Sequence, residues 1–296
     1  TPMSTRERRD RSNESDRFLS KLFHDAVRTH CDADTGKEIA LAAVGGYGRG
    51  ELSPGSDLDI LILHNGKISQ EKLKAIVNDL LYPLWDKNSV DHSVRTRSET
   101  RDAAASDLRV ATGLLDIRFI AGNTDLVTAV QADSLDYWRK DAKRNLPALD
   151  KSLKERHERA GELAYLLEPD LKEARGGLRD IQALRAISLS GAVQVPLEKI
   201  SWAESTLNNV REALHTASGR GKDRLLFQEQ DKVARILDYK DADAMMSDVA
   251  RAARTVDYLL DYTWHALEHK GKDGLGRIMR KPRVVNVAKN VSALER

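Results

Sequence analysis

Two aspartates, Asp57 and Asp59, stand two residues apart at the head of Leu58-Asp59-Ile60-Leu61-Ile62-Leu63, a run of strand length. At that spacing on a strand their side chains leave the same face. About ten residues earlier, Gly45 and Gly46 close a second apolar run, IALAAV, and open a segment, 47–52, expected to form one or two helical turns. Glycine at such a corner lets backbone N–H groups approach a phosphate closely, and a helix start adds positive partial charge. Two carboxylates facing a phosphate cradle would repel a nucleotide unless a divalent cation lies between them. That is the arrangement metal-assisted nucleotidyl transfer requires. In this reading Asp57 and Asp59 hold two Mg2+ ions, with Mn2+ as the alternative. Gly45, Gly46 and Ser56 contact the β- and γ-phosphates, and Arg49 neutralises pyrophosphate. The competing reading is a Ser-Asp surface turn leading into a strand with one wet face. An unpartnered carboxylate beside LDILIL is costly to desolvate, which favours the cation.

Around this stretch the pattern alternates helix and strand. Residues 1–12 are polar, arginine-rich and expected to fray, and an amphipathic helix is expected over 14–30. It contains His24-Asp25, a dipeptide also found in metal phosphohydrolases, but no partner ligands accompany it, and a solvent-facing helix pair is the simpler reading. A second amphipathic helix is expected over 69–87, shortened near Pro83, followed by an alternating strand over 89–95. The expected fold class is α+β: a small mixed-sheet domain over 1–130, an all-helical domain over 131–275, and a linker or tail over 276–296. Residues 107–121 read as a helix closed by Gly122. Further helices are expected over 135–162, with a break near Pro147, and over 178–189, 202–216 and 242–269. Trp264 and the Tyr258–Tyr262 pair read as a core stripe.

Composition narrows the function classes. The 296 residues carry a formal charge of only +2, which disfavours extended nucleic-acid binding. Cys31 is the single cysteine, so neither an internal disulfide nor a cysteine metal cage can form. No apolar run has the length of a membrane span and no signal pattern opens the chain, so a cytoplasmic protein is expected.

GGYGRG is neither a Walker A loop, lacking Gly-Lys-Ser/Thr, nor a dinucleotide fingerprint, because Gly46, Gly48 and Gly50 are evenly spaced. Joined to SDLD it resembles the signature of the nucleotidyltransferase superfamily that includes polymerase-β-like enzymes. Such sites add a third carboxylate on the next strand. Asp91 in VDHSVRT is the candidate, with a plain polar strand residue as the other reading and His92 as an alternative proton acceptor. Several blocks in order, AVGGYGRGELSPGSDLDILIL, HSVRT, DLRVATGLLDIRFIAG and YLLEPDLKEARGGLRDIQALR, resemble the amino-terminal half of the PII-protein uridylyltransferase/uridylyl-removing family. The resemblance implies a polymerase-β-like domain followed by helices, and transfer of a nucleoside monophosphate from UTP, or ATP as in some relatives, to a tyrosine of the trimeric PII nitrogen-signalling protein. It assigns Gly45, Gly46, Asp57 and Asp59 to the catalytic motif. Where the family commonly has glycine before His-Ser-Val-Arg, this chain has Asp91. The family's phosphohydrolase and glutamine-sensing domains would lie beyond Arg296, so a fragment that modifies PII without reversing it is expected. The alternatives are a nucleotidyltransferase with another acceptor, such as glutamine synthetase, and a catalytically silent module that binds nucleotide or PII.

Two further motifs remain. EPDLKEARGGLRD either connects domains with compensating charges or brings Lys172 and Arg175 over the nucleotide. Asp116 and Arg118 are expected to pair with each other beneath the site.

Overall fold

A computed structural model of the chain describes residues 5–32, 35–84, 90–273, 284–288 and 291–294. Helix α1 (Thr5–His30) starts well before the expected residue 14. Arg8 and Arg11 in its first turns reach Glu212, whose side chain is fully buried, so the polar end is pinned rather than frayed. The partner lies about two hundred residues away, beyond the reach of any local pattern.

Strand β1 (Ile39–Ala43) is buried along its whole length. It passes into the four-residue helix α2 (Gly45–Gly48) and then, through a loop, into β2 (Leu58–His64). Helix α3 (Gln70–Leu81) is capped by Ser69, whose hydroxyl accepts from the Lys72 N–H, and it ends in a 3-10 turn containing Pro83. Strand β3 (Val90–Thr96) leads into α4 (Arg97–Ser106) through a reciprocal Thr96–Glu99 capping box. Asp107 then caps α5 (Leu108–Leu114).

Residues 107–121 are not one helix. The chain leaves α5 after a single short run and forms β4 (Arg118–Gly122). Short apolar runs are ambiguous between helix and strand, and here the free edge of β1 decides, because its backbone groups need a partner. The four-stranded sheet has the order β3-β2-β1-β4. β2 and β3 are parallel, and β1 is antiparallel to both β2 and β4, which makes the expected mixed sheet.

The remaining elements are helical: α6 (Thr124–Lys140), α7 (Ala142–Ala160), α8 (Leu178–Ser190), α9 (Ser201–Ser218), α10 (Phe227–Ile236) and α11 (Ala242–Asp273). The helix over 135–162 breaks at Asp141, and Pro147 sits inside α7 without ending it. Within the stretch expected to be a linker, β5 (Val284–Ala288) pairs antiparallel with β6 (Val291–Leu294).

The sheet is sandwiched. Leu41, Ile60 and Ile62 pack against Leu19 and Phe23 of α1 and Ile76 and Leu80 of α3. Ala40, Ala42, Leu61 and Leu63 face the other way and join the cluster built from α6 to α11. Asp59 shares the side of β2 used by Leu61 and Leu63, so it looks toward the helices. Trp264 packs against that cluster, whereas Tyr258 and Tyr262 are exposed, which corrects the expected core stripe. Among the described residues no helix is long and apolar enough to cross a membrane.

Candidate active site

Where the sheet meets the helices lies a cleft of about 580 Å3, lined from both sides. Its sheet wall contains Gly45, Gly46, Arg49, Ser56, Asp57, Asp59 and Asp91, and its helical wall contains Lys172. Eight of the nine residues singled out from the sequence therefore converge. The ninth, Arg175, lies elsewhere, bound to Asp257 at 2.6 Å and Asp261 at 2.9 Å on α11.

The carboxylates are placed by strand register. Asp59 stands directly opposite Asp91 in the parallel β2–β3 pair, so both leave one face of the sheet, and Asp57 precedes β2 by one residue. The Asp59 backbone oxygen accepts from the Val44 N–H at 3.0 Å, fixing the strand against the glycine corner. Gly45 has φ +56°, and a Cβ there would lie 3.2 Å from Asp59 Oδ2. A side chain at this corner would be strained and would crowd the carboxylate. Burial, and then the negative charges of Asp91 and Asp57, raise the Asp59 carboxyl above its ordinary value. Lys172 and Arg49 pull it the other way, without cancelling the effect.

The loop delivering Ser56 and Asp57 is clamped. Its Ser53 N–H donates to Ser56 Oγ, and the Ser56 N–H donates to the Ser53 carbonyl, both at 3.0 Å. Arg11 of α1 holds the Leu52 carbonyl at 2.6 Å, and Arg211 of α9 holds Ser53 Oγ at 3.0 Å. Gly55 meets Gly221 backbone to backbone, so closely that a Cβ on Gly221 would stand 2.1 Å from the Gly55 oxygen.

Arg49 is engaged rather than free. It binds Glu51 at 2.8 Å and Asp116 at 2.6 Å, while Glu51 and Glu204 share Arg185. Asp116 and Arg118 do not pair with each other as expected: Arg118 reaches back to Asp16 on α1. Each carboxylate found the cation that the sheet put beside it, not the one nearest in sequence. His24 and Asp25 lie on the surface of α1, bonded within their own helix to Ser20 and Arg28.

The EPDLKEARGGLRD segment forms a hydrogen-bonded turn that puts Lys172, but not Arg175, on the cleft. Asp170 accepts from the N–H groups of Lys172 and Glu173 at 2.9 and 2.8 Å, and Asp180 accepts from the Gly176 N–H at 2.7 Å, which fixes the turn. The turn carries Lys172 into the cleft, where burial, reinforced by Arg179, depresses its ammonium below its ordinary value. Sequence reasoning missed the rest of the helical wall: Arg179, Gln182 and Arg185 on α8, Glu204, Asn208 and Arg211 on α9, and Asp223. A signal existed, since these are polar residues at three- and four-residue intervals on otherwise apolar helices.

Among the described residues no group of three or more His, Cys, Asp or Glu is spaced to hold a metal ion by itself. A pair of carboxylates completed by substrate phosphates is nevertheless a usual way to bind Mg2+. The raised Asp59 carboxyl, without a hydrogen-bonded cation, fits that role.

Residues 26–100 match the nucleotidyltransferase domain family, and residues 144–190 and 195–264 match the GlnD PII-uridylyltransferase family. The chain is 47% identical over 267 residues to a bifunctional uridylyltransferase/uridylyl-removing enzyme of Streptomyces coelicolor, covering 90% of this chain and 30% of that protein. It is 38% identical over 255 residues to the protein of that name from Mycobacterium tuberculosis, covering 83% of this chain and 31% of the other. With the Cereibacter sphaeroides protein of the same name it shares 37% identity over 249 residues, 78% of this chain and 26% of the relative. The chain thus spans about a third of the length of these relatives.

Proposed function

The chain belongs to the PII-uridylyltransferase family, and we propose that its cleft transfers UMP from UTP to a tyrosine hydroxyl of a PII signalling protein. One observation carries the proposal: Asp57, Asp59 and Asp91 gather, without hydrogen-bonded cationic partners, at the glycine corner, and Lys172 faces them from the helical wall.

In this reaction the tyrosine oxygen attacks the α-phosphorus in line, and a new P–O bond forms as the bond to the α–β bridging oxygen breaks. Pyrophosphate leaves, and the hydroxyl proton passes to Asp91, an exposed carboxylate of the site, or to solvent. Asp57 and Asp59 would hold divalent cations, Mg2+ in the first place and Mn2+ as an alternative, which supply Lewis-acid stabilisation of the phosphate charge. Gly45 and Gly46 let backbone N–H groups approach the phosphates, and Ser56 offers a hydroxyl beside them. Lys172, its ammonium depressed by burial and by Arg179, would gain from a triphosphate that offsets both. Arg49, braced by Glu51 and Asp116, contributes a fixed positive charge beneath the glycine turn. Residues 1–130 thus supply the carboxylates and 131–275 the opposing wall. Arg175, tied to α11, is left out of the nucleotide site.

The test incubates this chain with PII protein, Mg2+ and either UTP or ATP, and weighs PII by intact mass. Addition of one UMP per subunit is expected. Addition of AMP alone would change the donor, and an unmodified PII with both nucleotides would overturn the transferase reading.

A further inference from the structure

The helical wall of the cleft carries two neutral amides, Gln182 on α8 and Asn208 on α9. The arginines around them are occupied: Arg179 binds Glu173, Arg185 binds Glu51 and Glu204, and Arg211 binds Asp223 and Ser53. Neither amide has a side-chain hydrogen bond to any described residue. Asn208 is only 7% exposed, and the cleft is the space onto which it opens. Their donor and acceptor atoms are open to the cleft rather than sealed away, so a ligand there can take them up as hydrogen-bond partners.

The placement indicates which part of a ligand this would be. The carboxylates, the glycine corner and Lys172 make the cleft fit for phosphates and cations, which leaves the uncharged part of a ligand for the amides. Gln182 lies three residues from both Arg179 and Arg185, and Asn208 lies between Glu204 and Arg211. The amides are therefore neutral centres of two polar rows, between arginines that are already paired. A planar, uncharged heterocycle with several donors and acceptors fits such a place.

We propose that Gln182 and Asn208 form the nucleobase subsite and read the imide edge of uracil. The proposal rests on the transferase reading above for the identity of the nucleotide. Uracil presents an N3–H donor flanked by two carbonyl acceptors, O2 and O4. Two primary amides offer an N–H donor for each carbonyl and a carbonyl oxygen for the imide N–H. Cytosine reverses part of that pattern, with an amine in place of O4 and a lone pair at N3. An aspartate at 208 would lose the amide donor and gain an acceptor suited to the cytosine amine.

The test measures binding of UTP, CTP and inorganic tripolyphosphate, with Mg2+ present, to the whole chain by calorimetry. Asn208→Ala and Gln182→Ala are each expected to weaken UTP about 10-fold while leaving tripolyphosphate, which has no base, within about 2-fold. Asn208→Asp is expected to move the UTP:CTP preference toward CTP by about 10- to 100-fold. Gln182→Glu gives a second, independent exchange of the same kind should Asn208→Asp fail to fold. Equal weakening of UTP and tripolyphosphate, or an unchanged UTP:CTP ratio in folded variants, would overturn the subsite. If wild type uridylylates PII while that ratio stays fixed, the transferase reading stands and the subsite falls. If wild type modifies nothing but the ratio shifts in binding, the subsite stands and the transferase reading falls.

Discussion

Carboxylates in the two walls of this protein meet opposite fates. In the helical part Glu212 is bound by Arg8 and Arg11 at 3.1 and 3.0 Å, Asp180 by Arg156, His157 and the Gly176 N–H, and Asp223 by Arg211 and His215 at 2.6 and 2.8 Å. Burial alone would push Asp223 up, but His215 and Arg211 outweigh it and hold the acid down at about 2. Asp180 is likewise lowered, its burial offset by His157 and Arg156. Across the cleft, burial raises Asp59, and its nearest charged neighbours, Asp91 and Asp57, raise it further. The first group is spent on holding helices together. The second is left without hydrogen-bonded cationic partners among the described residues, an arrangement suited to a cation that arrives with the substrate.

This contrast can be broken most forcefully at the cleft. Asp57→Asn and Asp59→Asn should each reduce PII modification to background while the far-UV circular dichroism stays that of wild type. Retained transfer in either variant would mean that the unsatisfied pair is not the cation site.

On the other wall the effect should fall on stability. Glu212→Ala removes the ion pairs of both Arg8 and Arg11, at a cost of about 3–5 kcal/mol in denaturant unfolding. A cost below ~1 kcal/mol would show that the amino-terminal turns of α1 do not depend on this anchor.

The smallest effect sharpens the comparison by its sign. Because the folded state raises the Asp59 acid, ionising it costs stability at neutral pH, and that cost fades as pH falls through the raised value toward the ordinary 3.8. Without added metal, Asp59→Asn should therefore raise the melting temperature at pH 7 by about 2 °C, with the gain closing in acid. A loss of stability at pH 7 would place Asp59 among the structural carboxylates. Added Mg2+ should narrow the gap, by stabilising wild type and not the variant.

What could be read locally came through. The continuous apolar runs at 39–43 and 58–64, the glycine corner at Gly45, and the Asp57–Asp59 spacing are encoded within a few residues of one another, and the structure keeps each of them. Asp91 could be read either as a third carboxylate or as a plain polar strand residue, and it is parallel pairing that sets it opposite Asp59. The helical wall was harder still, because a lone Gln182 or Asn208 on an apolar helix says nothing about which cleft it will face.

The chain's own order of residues determined that a corner of glycines and paired carboxylates exists, since strand period, glycine freedom and carboxylate spacing are short-range properties. Tertiary structure decided which charges were left over to use it. Arg175 was removed from the cleft by Asp257, 82 positions away, and Arg49 was braced by Asp116, 67 positions away. Charge pairing depends on distance in space, and folding, not neighbourhood in the chain, fixes that distance.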